Sequence, residues 1–213
     1  MALSITDTLL ASADVVVELA LTEPVSEGWT RESACAGMST SGLAHHLTSQ
    51  VDSLVRLLPD APHQSEPISV REHYRRAAWA NTGLDDEANV EIRTVADGKA
   101  EPGPAELADH TAEQLTRLPA VLAGVEDSAA VLIPWQGWAL TAHDFAVTRL
   151  MEMVVHADDL AASVGVDTPE FPEEAVRLVL GLLTDVAVDR HGQVAVVRAL
   201  SRPQRSPGTI SAF

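Results

Sequence analysis

Apolar residues recur at three- and four-residue spacings along most of this chain, and stretches of strict alternation are few and short. Ile5, Leu9, Leu10, Ala13, Val16, Val17 and Ala20 trace one face of a helix over 4–21, with Asp7 and Asp14 among the positions between them. The stretch from Glu23 to Gly37 is rich in turn formers and reads as a loop. Ser39 to Ser41 then offers an N-cap for a second helix, whose apolar line Leu43, Leu47, Val51, Leu54 and Leu58 defines its core direction. Pro59, Pro62 and Pro67 break the chain, and a third helix is expected from Ser69 to Asn81. Residues 85–96 fit either helix or strand, and Asp97, Gly98, Pro102 and Gly103 mark a loop. Pro104 suits the first turn of a helix reaching Leu122, with Pro119 expected to kink or shorten its end. Ala129 to Trp138 reads as extended, and Thr141 caps a long helix over 142–164 that Gly165 stops. An apolar helix over 172–189, a short helix to Leu200 and a tail bearing Pro and Arg complete the chain.

The pattern predicts an all-α protein, with four main helices packed as a bundle over residues 1–165 and a short C-terminal helical extension over 166–213. So short an extension buries little core alone, so it should pack on the bundle or on a second subunit, which allows a homodimer.

Charge narrows the partners. Lys+Arg 14 against Asp+Glu 31 leaves a net charge of −17, which repels phosphate, so no nucleic acid and no anionic membrane are expected as partners. Cys35 is the single cysteine, so no internal disulfide and no CxxC pair can form. The first residues lack a basic, apolar leader, and no run approaches the roughly 18 apolar residues of a membrane span, which predicts a cytoplasmic protein. No phosphate loop, nucleophile elbow or dinucleotide fingerprint is present.

The chemistry concentrates on the helix FAVTRLMEMVVHADDLAAS. At about 100° per residue, Phe145, Arg149, Glu152, His156, Asp159 and Ser163 fall within about 60° of one line. Met151, Met153, Val155 and Leu160 flank that line, so the polar stripe is embedded in apolar surroundings. Glu152 and His156, one turn apart, suit two ligands of one divalent ion, and Asp159 can accept the imidazole's second N–H. Arg149 can pair with Glu152 or address an anionic ligand. An Arg–Glu–His–Asp ladder without metal satisfies the same spacing. On the second helix His46 lies on the shoulder of the core face, Gln50 close to the core direction, and His45 nearly opposite and solvated.

Two stretches resemble a known family. CAGMSTSGLAHHL is similar to the helix-entry motif of the mycothiol-dependent maleylpyruvate isomerase N-terminal domain, within the DinB-like metal-binding four-helix bundle superfamily. RLMEMVVHADDLAASVG resembles its R-x-x-E-x-x-x-H-x-x-D-L segment, and the resemblance spans about residues 5–165. It implies a DinB-like bundle in which His46, Glu152 and His156 hold a divalent metal, usually zinc, with open positions for water. Arg149, Asp159 and Leu160 match the motif without being ligands. Met38 stands where the motif carries tryptophan, and the chain after Gly165 is shorter than the isomerase's separate C-terminal domain. The function implied is a metal-dependent thiol transferase or isomerase, with mycothiol as a thiol cosubstrate and a small electrophile as substrate. Asp159 would orient His156 and Arg149 would support the site. A non-catalytic, stress-related metal-binding bundle and a metal-assisted hydrolase use the same ligands.

The remaining candidates read as structural. Cys35 is an idle or packed thiol, His143 belongs to the first turn of its helix, His73 and His110 lie on the surface, and His63 and His191 lie in loops. Trp135 and Trp138 pack at the bundle's rim. Arg198, Arg202 and Arg205 make the tail basic, so the arm from Ser201 is expected to lie back over the acidic body, with Arg202 or Arg205 near the open end of the metal site.

Overall fold

The computed structural model describes residues 3–83 and 85–213. Helices α1 (Thr6–Ala20), α2 (Glu23–Glu27), α3 (Thr40–Leu57), α4 (Val70–Arg76), α5 (Ala78–Asn81), α6 (Glu87–Ala100) and α7 (Pro104–Ala123) lead to a hairpin of β1 (Ala130–Ile133) and β2 (Trp138–Thr141). Helices α8 (Ala142–Val164), α9 (Glu173–His191) and α10 (Gln193–Ser201) follow. The bundle is α1, α3, α7 and α8. Helix α3 packs on the other three, and α1 also touches both α7 and α8.

The apolar periodicity faces inward as expected. Leu9 and Val16 of α1, Leu43, Leu47, Val51 and Leu54 of α3, Leu118 and Leu122 of α7, and Phe145, Leu150 and Met153 of α8 are fully buried together. Helix α8 is buried on several faces, as befits the element that neighbours most of the others. Its start is fixed by the Thr141 side chain, which accepts from the Asp144 amide at 3.0 Å. Its end is fixed by Gly165 in the left-handed region at φ 72°.

The extended run before α8 is a hairpin. Ala130 pairs with Thr141 and Ile133 with Trp138, and Gly137 at φ 79° allows the turn between them. The Ile68 amide donates to the Ala139 carbonyl at 2.8 Å, which ties the approach to α4 to this hairpin.

Four local expectations are corrected. The expected loop at Asp97 and Gly98 is helical, because the Asp97 carboxylate docks on the N-terminus of α3 and accepts from the Ser39 amide at 3.1 Å and its hydroxyl at 2.5 Å. A carboxylate there meets orphan N–H groups and the positive helix end, so tertiary capping outweighs a weak local preference. The single helix expected over 69–81 breaks at Ala77, where the Asn81 amide donates to the carbonyls of Tyr74 at 2.9 Å and Ala77 at 2.8 Å. The stretch read as all loop after α1 holds α2, with Pro24 in its first turn. Pro119 does not end α7, which runs on to Ala123, since a proline this close to the C-terminus forfeits little of the hydrogen-bond ladder.

Helix α9 packs on α8 and α1 through Ala175, Val179 and Leu182, while Leu180, Val194, Val197 and Leu200 stay exposed. The end of the arm lies back on the body, against α4, α5 and α9. Arg190 donates to the Ala212 carbonyl at 3.3 Å, His191 Nε2 lies 2.8 Å from the Ser211 carbonyl, and Phe213 packs on Tyr74 and Trp79 with ring centroids 5.4 and 5.0 Å away. Arg202 and Arg205 stay exposed, and Arg202 donates to the neighbouring Ser201 carbonyl.

Helix α6 crosses α3 at Gly42, where an added Cβ would overlap the Asp97 carboxylate. Asp97→Ala should cost about 1 kcal/mol by loss of the cap. Gly42→Ala should cost a similar amount in the native protein and much less in the Asp97→Ala background, because both act on one contact. Urea denaturation of the two single variants and the double variant measures this, and additive penalties would contradict it.

Candidate metal centre

Because α3 and α8 pack along each other, residues more than a hundred positions apart meet at their interface. Glu152 Oε2 lies 3.5 Å from His46 Nε2 and 3.1 Å from His156 Nε2. The two imidazoles stand edge to face, with centroids 4.9 Å apart and planes at 83°. One donor atom from each of the three residues lies within 4.8 Å of the others. Glu152 is 8% exposed, whereas the side chains of His46 and His156 are 23% and 22% exposed, so the cluster is closed on the carboxylate side and open on the imidazole side.

The surroundings hold these groups in place. His156 Nδ1 lies 2.9 Å from Asp159 Oδ2, which turns Nε2 toward Glu152. The Cys35 thiol donates to the same Asp159 oxygen at 3.3 Å and stands 4.0 Å from His156 Nδ1. The Ala34 amide donates to Ser163 Oγ at 2.8 Å, pinning the Cys35 loop to α8. Met38 is buried in the core.

Arg149 takes partners other than Glu152. Its Nη1 donates to Gln50 Oε1 at 2.7 Å and its Nε to Thr148 Oγ1 at 3.2 Å, and its guanidinium lies 5.4 Å from the centroid of Phe145. The Gln50 amide in turn donates to the His46 carbonyl at 2.8 Å. Arg149 therefore steadies the α3 backbone at His46 instead of pairing directly with Glu152. Buried Gln50 is satisfied on both ends by this bridge.

Burial alone would raise the Glu152 pKa, but hydrogen bonds from His156 and His46 and the nearby positive charges hold it well below the usual carboxylate range. Burial would also lower the His156 pKa, and the contacts with Asp159, Cys35 and Glu152 overcome it and raise it well above its ordinary value. At His46 burial prevails and the value falls. Without a cation, the raised pKa of His156 favours its charged form, and Nε2 of both imidazoles lies close to one carboxylate oxygen. Two imidazole nitrogens and a carboxylate oxygen that converge with their protons replaceable fit a divalent cation of borderline softness, zinc above all.

Several side chains depart from the sequence reading. His73 is buried, because a helix as short as α4 shows no periodicity from which its face could be read; the Trp138 indole N–H donates to its Nδ1 at 3.0 Å. Cys35, distant from any catalytic partner in sequence, sits against His156 and Asp159. His45 is half-buried, and burial lowers its pKa, with His46 and Lys99 adding to the effect. His110 is exposed, 3.6 Å from Asp52, and Trp135 is exposed beside the Arg56 guanidinium. A cleft of about 520 Å³ between α4, α5 and α9, lined by Val70, Tyr74, Asn81, Leu182 and Asp189, includes none of the triad.

The profile of the mycothiol maleylpyruvate isomerase N-terminal domain matches residues 10–161. The chain belongs to that family. The match includes His46, Glu152, His156, Arg149 and Asp159 and stops before α9, and the all-α fold agrees with it. No curated protein and no solved structure matches the chain. Among the described residues no helix is long and apolar enough to cross a membrane.

The His156–Asp159 pair sets a pH dependence in the metal-free protein. Asp159, depressed, contributes stability present above its ordinary value of 3.8 and lost as the pH falls through its folded value. His156, raised, contributes stability fully present below its ordinary 6.5 and lost as the pH climbs through its folded value. Denaturation of chelator-treated protein should therefore show the Asp159→Asn penalty to be largest between these values and to shrink on the alkaline side. A penalty independent of pH would contradict the pairing.

Proposed function

We propose that this family member holds a divalent metal, zinc being the ion its donors fit, on His46, Glu152 and His156, and that it transfers a mycothiol-type thiol to a small electrophile as a transferase or isomerase. The observation that carries the reading is the convergence of these three side chains, His156 being backed by Asp159, within the matched family span. A cation held there supplies a Lewis acid that favours a bound thiolate at neutral pH.

The chain's own residues supply the rest. Asp159 holds the proton on His156 Nδ1 and keeps Nε2 as the inward donor atom. Gln50 and Arg149 fix the backbone at His46. The open imidazole side leaves room for thiol and electrophile to meet, while buried Glu152 closes the other side against water. A free Cys35 thiol accords with a reducing, cytoplasmic setting.

Metal analysis of purified protein should give one zinc per chain. His46→Ala, Glu152→Gln and His156→Ala should each abolish it, and His45→Ala should leave it in place. Asp159→Ala should weaken metal affinity by about 10- to 100-fold. With cobalt in place of zinc, mycothiol should add a sulfur-to-metal charge-transfer band, and an electrophile should be consumed only when thiol and metal are both present. Metal retention with no thiol band and no turnover would leave a metal-binding bundle without this activity.

A further inference from the structure

The other edge of the His156 ring, away from Glu152, faces a second set of donor atoms. The Cys35 thiol donates to Asp159 Oδ2 at 3.3 Å, His156 Nδ1 lies 2.9 Å from that same oxygen, and the sulfur and the nitrogen stand 4.0 Å apart. Each of the three residues thus offers one ligand atom within 4.8 Å of the other two, as the triad does. Zinc bonds of about 2.3 Å to sulfur and about 2.1 Å to nitrogen or oxygen set tetrahedral edges of about 3.6 Å from sulfur to either lighter atom and about 3.4 Å between those two. The three separations each fall within about 0.5 Å of those edges. The loop that carries Cys35 is fixed against α8. The Ala34 amide donates to Ser163 Oγ at 2.8 Å, the Ser163 hydroxyl donates to the Asp159 carbonyl at 2.6 Å, and the Met38 amide closes the loop on the Cys35 carbonyl at 3.0 Å. Cys35, His156 and Asp159 are all half-buried, so an ion can enter from solvent and keep a water as its fourth ligand.

We propose that Cys35 Sγ, Asp159 Oδ2 and His156 Nδ1 form a second cation site, one for a thiophilic divalent ion of the zinc and cadmium class, and that filling it excludes the ion of the His46–Glu152–His156 triad. The site stands on its own contacts, and the exclusion rests on the metal reading above. Binding forms a metal–sulfur and a metal–nitrogen bond, releases the thiol proton and the Nδ1 proton to solvent, and changes no oxidation state. A thiolate set beside an imidazole and a single carboxylate favours such an ion over magnesium or calcium, which take oxygen ligands. A neutral imidazole has one lone pair to give a metal, so with Nδ1 committed its remaining proton sits on Nε2, 3.1 Å from Glu152 Oε2. The triad then keeps His46 and Glu152 and loses its third ligand. The chain holds one cation on either edge of a single ring, and an excess of thiophilic metal empties the triad by taking its histidine.

The test titrates full-length, metal-free protein with cadmium and reads the ultraviolet sulfur-to-cadmium charge-transfer band. His46→Ala breaks the triad and leaves the second site whole, so it should keep the band and saturate at one ion per chain. Adding Cys35→Ser to His46→Ala should abolish the band and weaken cadmium binding at least about tenfold, a ligand being worth no less than an outer-shell partner. In His46→Ala, nitrogen-labelled histidine should show coupling of bound cadmium to His156 Nδ1 and not to Nε2. In zinc-loaded native protein, zinc should leave as the cadmium band grows, and in Cys35→Ser the same cadmium should release at least about tenfold less zinc. No band in His46→Ala, unchanged affinity on adding Cys35→Ser, coupling through Nε2, or a full band with all the zinc retained would each overturn the proposal. Native protein that takes no zinc would sink the triad reading alone, since the cadmium comparison in His46→Ala still decides the second site. Should His46→Ala fail to fold, Glu152→Gln takes its place as the triad-breaking variant.

Discussion

Glu152 is a carboxylate buried where α3 and α8 pack together, and the surrounding arrangement follows from compensating its charge. A lone buried anion is costly, so the interface must deliver partners from both helices. His46 comes from α3 and His156 from the next turn of α8, and each needs its own restraint. Asp159 supplies one and the Gln50–Arg149 bridge the other. The packing of the bundle's centre and the chemistry of its cluster are thus one problem with one solution. The same leucines that bury α3 hold His46 at the distance the carboxylate requires.

How much of this is legible in the chain depends on whether partners lie close in sequence. The polar stripe of α8 shows itself because its members are separated by whole helical turns, so one rotation angle describes them all. His46 is found as the shoulder of an apolar line for the same reason, and residues 5–165 resemble the family whose profile matches 10–161. Interactions between elements leave no such trace. Asp97 reads as a loop residue until the α3 N-terminus stands beside it. Arg149 pairs across 99 positions with Gln50, a contact that no spacing rule reaches. Cys35 has no histidine near it in sequence and one beside it in space.

Short elements hide the most. His73 belongs to a seven-residue helix, too brief to show a face, and its burial comes from the hairpin and Tyr74 around it. The break at Ala77 depends on one Asn81 amide that reaches back to carbonyls freed at the end of α4. In both cases a single side chain overrides a propensity worth only tenths of a kilocalorie, roughly the scale on which local preferences differ.

The small hairpin works as a ruler between two helices. Trp138 grips His73 of α4 at one end of β2, and Thr141 sets the first turn of α8 at the other. Three steps of extended chain, about 10 Å, therefore fix where the buried imidazole stands relative to the helix that carries Glu152. One residue inserted in β2 would turn Trp138 to the opposite face of the strand and release His73, while every triad side chain stayed in its own helix. Spacing in four residues of strand thus governs how α4 and α8 are aligned at this point.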